Sequence, residues 1–374
     1  MTIPMVDLRP LLADTEPAWR ANLARLFDRM QFVLGEQVAA FEQELAQAWG
    51  AAFAVAVGSG TAALELALRA AGLGESGGEV LLPALTSPFT AQAVLAAGCR
   101  PRFADVDAET LLLDARDAAA RIRTRTAALL PVHLYGQPCP LVQLAKLARR
   151  RGIVLLQDAC QAHGAQAEGR PFTRLSPAVA YSFYPTKNLP CLGDGGAVLT
   201  ESRAVAGRLR LLRDGGRASG RGAGRGSGDA IRIRAVHSRL DEMQACYLRA
   251  FLPKLGEWNA ARARLAALYD QALANCGGVR PVGRREGSVC HLYVARAARR
   301  DGLRRHLAKH GIATGVHYPV PLHLQPAFAA SGLKRGDLPV AERACREIVS
   351  LPLWPHMADS AVEEVAQRVR EFYG

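Results

Sequence analysis

The sequence predicts an α/β fold. A mostly parallel sheet, doubly wound by helices, fills a large domain over residues 1–240; a bridging helix and a small α+β domain occupy 241–374. Three observations predict it. Short apolar runs alternate with stretches of helical spacing through the first half of the 374 residues. A glycine turn, Gly58-Ser59-Gly60, separates one such run from the next helix. After about Arg239 the alternation gives way to a long helical stretch and a few isolated strand-like runs.

Residues 14–30 and 36–49 space their apolar side chains as helices. The run 52–57 reads as a buried strand, and the glycine turn opens a helix to about Ala71. Further strands are expected at 79–82, 100–104, 126–131 and 153–157, with helices at 90–98, 114–122 and 141–150 between or after them. The strand-like run 178–184 leads into a loop carrying Lys187 and a glycine-rich turn at 193–196. Beyond Arg239 one helix is expected over 240–274, then strands at 289–295, 312–316 and 348–351 and helices near 299–310, 340–347 and 359–372. No internal repeat is visible.

A hydrophobic fraction of 49% and a charged fraction of 22% belong to a folded soluble protein. No apolar run is long enough to span a membrane, and residues 1–12 lack the basic start and apolar core of a signal peptide, so a cytoplasmic location is expected. The eight cysteines contain no CxxC pair, which argues against a zinc or disulfide framework and for free thiols; no metal site is expected. The net charge is +13, and residues 201–239 hold +7 of it, as ten arginines against three acids. The Gly/Arg/Ser tract at 215–228 resembles RNA-binding tracts but interleaves no aromatic residue. It reads better as a basic loop that attracts an anionic substrate, with nucleic-acid binding the weaker alternative.

Only five of the 47 basic residues are lysines. A neutral lysine amine condenses with aldehydes, which a guanidinium does not. The helix opening at Gly60 and Thr61 offers free N–H groups and a positive dipole end to a phosphate. Asp158 ends a predicted strand, where ligands of such sheets collect. A phosphate cradle, a strand-end carboxylate and a loop lysine are together what pyridoxal 5'-phosphate requires.

GSGTAAL (58–64), PVHLYGQP (131–138), QDACQAHGA (157–165), YSFYPTKNL (181–189) with GDGGAV (193–198), and HSRLDEMQA (237–245) resemble the DegT–StrS sugar aminotransferases, in order along nearly the whole chain. HYPVPLHLQPAF (317–328) and LPLWPH (351–356) are most similar to members that aminate 3-keto nucleotide sugars. The resemblance implies a type I, aspartate aminotransferase-like fold. It implies that Lys187 holds the cofactor covalently, Asp158 pairs with the pyridine nitrogen, and Gln161 bonds the ring's phenolic oxygen. Gly60, Thr61, Ala62 and Ser182 would bind the phosphate, and Phe89 would stack on the ring. The 237–242 loop would enter a neighbouring subunit's site in a homodimer, with Arg239 on the amino donor's carboxylate. Tyr184, His317, Tyr318 and His323 would meet the substrate. L-Glutamate and a keto sugar on a nucleotide diphosphate, dTDP-3-keto-6-deoxyhexose in the nearest reading, are the implied reactants.

The chain departs from that pattern in places. His237 stands where an Asn usually contacts the phosphate across the dimer, Cys160 replaces an alanine, and Pro190 a glycine. Ser87 holds the usual position of the stacking aromatic, with Phe89 two residues on; a plain core phenylalanine is the competing reading. For His317, Tyr318 and His323 the competing reading is a Pro-rich loop packed by its own side chains. The rival functions are amination of a 4-keto sugar or a cyclitol ketone, and a PLP- or RNA-binding regulator.

Overall fold

The computed structural model describes residues 2–74, 77–217 and 231–374. Eleven strands occur among them: β1 (Phe53–Val57), β2 (Glu79–Pro83), β3 (Arg100–Ala104), β4 (Thr126–Leu129), β5 (Val154–Leu155), β6 (Gln157–Asp158), β7 (Val179–Ser182), β8 (Gly196–Thr200), β9 (Val279–Pro281), β10 (Tyr293–Ala297) and β11 (Ile348–Leu351). One parallel array runs β3-β2-β4-β5, and a second runs β1-β8-β7-β6 with β8 antiparallel to both neighbours. A parallel bridge from Val132 to Asp158, with the Leu156 amide donating to the Leu129 carbonyl at 3.0 Å, joins the two into a single surface. Strands β1, β2, β7 and β8 are buried along nearly all their length, as near-continuous apolar runs of a sheet covered on both faces should be.

The remaining strands form the antiparallel sheet β11-β10-β9. A second apolar core covers it, built from Leu265, Tyr269, Leu303, Leu307, Val362 and Val369, and Ile3 from the start of the chain joins this core. Ile3 also bridges Ile312, so the N-terminal residues pack with the C-terminal ones. No helix among the described residues is long and apolar enough to cross a membrane.

Several expected elements differ. The helix expected over 240–274 is two, Glu242–Phe251 and Leu255–Leu273, parted by a 3-10 turn at Leu252–Lys254. Pro253 lies in that turn; it lacks an N–H and cannot continue the α-helical ladder. Residues 312–316 make only isolated bridges, and the strand expected over 289–295 forms at 293–297. Strand β8 follows directly from the glycine turn at 193–196, whose composition masks it.

Candidate active site

The carboxyl ends of the parallel strands open into a cavity of about 740 Å3. On one wall, β1 runs into the helix Gly60–Ala70, whose N-cap Ser59 accepts the Ala62 amide through Oγ at 3.1 Å. A Cβ on Gly60 would fall 2.4 Å from the Cβ of Ser182, and one on Gly196 would fall 2.4 Å from the Ser59 carbonyl oxygen. Only glycine allows the helix start, β7 and β8 to meet this closely, so the two glycine motifs build one cradle.

Asp158 is buried at the floor of the cavity. Its Oδ2 accepts the Thr90 hydroxyl at 2.8 Å and its Oδ1 accepts the Cys160 amide at 3.0 Å. These two donors hold the carboxylate in one orientation. Gln161 accepts the Tyr135 amide at 2.7 Å and donates Nε2 to the Tyr318 hydroxyl at 3.2 Å, and Tyr135 in turn donates its hydroxyl to the His317 carbonyl at 2.5 Å. The 317–318 segment is thereby tied to the sheet.

Lys187 is half-buried in the cavity wall, and burial pushes its pKa down from the ordinary 10.5, partly offset by Cys160 and the Asp158 charge. Its neighbour Asn188 is buried and fully used. Asn188 Nδ2 donates to Asn259 Oδ1 at 2.8 Å and to the Val289 carbonyl at 3.0 Å. Its Oδ1 must then accept, so His291 carries its proton on Nδ1, 3.1 Å away. Asn259 continues the chain to the His163 carbonyl at 2.9 Å, and His163 Nε2 donates to the Ser182 carbonyl at 2.6 Å. A continuous polar network therefore links the lysine loop to the cradle strand. Burial lowers the His163 pKa to about 3 and pushes His291 well below 6.5, so both rings are neutral.

Gly60, Thr61, Phe89, Asp158, Gln161, Ser182, Tyr184, Lys187, His317 and Tyr318 all line this cavity. Phe89 is 64% exposed over the opening, so it is not a core phenylalanine. Four predicted site residues lie elsewhere. Ala62 spends its amide on Ser59. His237 bridges Asp214 through the backbone, its ring against Gly215, and Arg239 pairs with Asp214 Oδ1 at 3.0 Å. His323 is a correction: it is buried away from the cavity, bonded through Nε2 to Glu342 Oε1 at 3.1 Å, and serves packing. The Gly/Arg tract lies mostly outside the described residues. Thr90, Thr186, Asp194, His291 and the N-terminal Met5 and Val6 also line the cavity and were not foreseen. Asp194 lies in the GDGG motif; His291 carries no local signal.

A sheet of this order, with a glycine cradle, a fixed carboxylate and a depressed lysine at its carboxyl edge, defines a type I pyridoxal phosphate-dependent enzyme. The residues fit the cofactor: an opening wide enough for it, a helix N-terminus for the phosphate, and Asp158 and Lys187 on the same walls. The chain belongs to the DegT/DnrJ/EryC1/StrS aminotransferase family, which matches residues 14–370. It is 41% identical over 372 residues to the dTDP-3-amino-3,4,6-trideoxy-alpha-D-glucose transaminase of Streptomyces venezuelae, covering 99% of this chain and 96% of that protein. It is 37% identical over 377 residues to a pleiotropic regulatory protein of Geobacillus stearothermophilus, covering 100% and 99%. Among solved structures it is similar to S. venezuelae DesV in complex with a ketimine intermediate, at a TM-score of 0.94 and 40% identity over 100% of this chain and 98% of that one. Another, NtdA of Bacillus subtilis with bound cofactor PMP, has a TM-score of 0.88 at 25% identity, covering 99% and 85%.

Proposed function

We propose that this aminotransferase moves the amino group of L-glutamate to a keto sugar on a nucleotide diphosphate, dTDP-3-keto-6-deoxyhexose being the preferred acceptor, in amino-sugar biosynthesis. The observation that carries the reading is the convergence of Lys187, Asp158, Gln161 and the Gly60 cradle on one cavity, which His317 and Tyr318 of the small domain also line. When bound, pyridoxal phosphate supplies an electron sink for the substrate carbon. Asp158, oriented by Thr90 and Cys160, holds a proton on the ring nitrogen. Gln161 Nε2 and the Tyr318 hydroxyl present donors to the ring's oxygen. Lys187, whose burial favours the neutral amine, would hold the cofactor covalently and, once released by the incoming substrate, would move a proton between the substrate carbon that carries the nitrogen and the cofactor carbon joined to that same nitrogen.

The enzyme acts as a homodimer in this reading. Phe27, Met30, Phe32, Val33 and Met243 leave apolar surface exposed beside the 237–242 loop, and Val33 bridges Asp241. His237 and Arg239, outside their own chain's cavity, then serve a partner's site, Arg239 by exchanging its Asp214 pair for the donor's carboxylate. The 3-keto acceptor rests on similarity to the S. venezuelae transaminase. Incubating the purified enzyme and L-glutamate with 3-keto and 4-keto nucleotide sugars tests it. An amino sugar formed only from the 3-keto series supports the reading; turnover only of the 4-keto series or a cyclitol ketone overturns it.

A further inference from the structure

We propose that His306, His310 and Glu371 form a binding site for a divalent transition-metal ion of the zinc class, outside the cofactor cavity. His306 lies on the helix Arg300–Lys309 and His310 caps its C-terminus, so a spacing of four puts both imidazoles on one face. Glu371 comes from the last turn of the helix Asp359–Tyr373 packed alongside. One ligand atom from each lies within 4.8 Å of the others. Tetrahedral zinc with bonds of about 2.0–2.2 Å needs its ligand atoms about 3.3 Å apart. The three must therefore draw in by no more than about 1.5 Å, which follows from the present spacing. His310 and Glu371 are exposed and can supply that movement, while the His306 ring is held 5.5 Å from Phe372.

Two further observations bear on the site. His306 Nε2 is buried without a hydrogen-bond partner, a state that native interiors avoid; a metal taken by that nitrogen would relieve it. Glu371 now accepts Gln367 Nε2 and Arg368 Nη1, each at 2.9 Å. Arg368 also reaches Glu364 at 3.1 Å, so it keeps a carboxylate partner when Glu371 turns to the ion. Two imidazoles and one carboxylate suit zinc, nickel or copper and not magnesium or calcium, which prefer all-oxygen ligands. Water completes the coordination. Bound there, the ion staples the 300–309 helix to the C-terminal helix.

The test titrates chelator-treated holoenzyme with Zn2+ by calorimetry and follows its melting temperature with and without Zn2+ or Mg2+. The expected result is one saturable Zn2+ site whose affinity drops at least tenfold in His310→Ala and in Glu371→Gln. The melting temperature should rise with Zn2+ in the native chain, not in His310→Ala, and not with Mg2+. Arg368→Gln, which frees Glu371, should bind at least as tightly as the native chain. Both ligand variants change exposed side chains and should fold and transaminate normally. Equal Zn2+ affinity in the native chain and a His310→Ala/Glu371→Gln double variant overturns the proposal, as does absence of saturable binding.

Discussion

Two loops meet at the same cavity: the lysine loop at 184–188, and the 317–323 loop, which lines it through His317 and Tyr318. In the first, hydrogen bonding stops one residue short of the reactive group. Asn188 absorbs the local polar contacts and leaves the Lys187 amine beside Asp158. In the second, the polar groups hold the loop itself. His317 Nδ1 meets Ser350 Oγ at 2.8 Å, the Tyr318 hydroxyl receives Gln161, and His323 meets Glu342. A residue type that suggests catalysis therefore says little until its partners are known. What separates the two loops is whether those partners are already used by the fold.

The comparison breaks most visibly at Lys187. Lys187→Ala should lower steady-state transamination about 10,000-fold, the upper end of what a positioned proton carrier supplies. It should also lose the visible absorbance of bound cofactor on dialysis while keeping its melting temperature. A variant that retains both turnover and absorbance would move the chemistry to another residue.

That Lys187 and Asp158 could be picked out as candidates from the sequence, and that both line the one cavity, follows from the narrowness of the proposed chemistry: few residue types condense with an aldehyde or, at a strand end, pair with a protonated pyridine. The apolar strand runs were legible for a similar reason, since burial on both faces leaves few polar choices. The network behind the lysine was not. Asn188 finds Asn259 71 positions away and His291 103 positions away, and Asn259 reaches His163 96 positions away. No local pattern encodes such contacts. Pro253 lies within periodic apolar spacing, so two helices read as one. His323 misled because a proline-rich loop with histidines looks alike whether it faces a ligand or a buried glutamate.

Acid should act on both sides of the comparison together. Burial lowers His133 to about 4, His163 to about 3 and His317 to about 4, each from an ordinary 6.5. A base whose folded pKa is depressed resists protonation in the fold, and the unfolded chain takes up the proton first. Stability is therefore complete above about pH 6.5 and falls as pH drops toward 4, by up to about 1.4 kcal/mol per pH unit for each ring. Melting temperatures across pH 8 to pH 4 check this. A flat profile between 6.5 and 4 would mean that these rings are not buried as neutral bases.

A smaller effect tests the packing role of the 317–323 loop. His323→Ala leaves the buried Glu342 carboxylate with only the Gly336 amide at 2.7 Å and the Leu338 amide at 3.5 Å. The expected loss is about 2–3 kcal/mol of unfolding free energy, with the KM for the keto sugar unchanged at a temperature where the variant is folded. A KM raised tenfold without loss of stability would return His323 to the substrate pocket.

Phe89 gives the finest test, because it lines the cavity and yet leaves most of its surface exposed. The residue is 64% exposed at the start of the helix Pro88–Ala96, where its amide makes a long 3.4 Å bond to Ser87 Oγ. An aromatic left this open gains most of its contact when a flat ring lies against it. Removing an aromatic stack costs about 0.5–1.5 kcal/mol beyond area burial, so Phe89→Ala should weaken cofactor retention by about 2- to 13-fold. Because the residue is mostly exposed, the apo form should melt close to the native temperature. Equilibrium dialysis of cofactor from the two proteins measures the difference. Equal retention would assign the ring stack to another wall of the cavity and leave Phe89 as exposed apolar surface at its mouth.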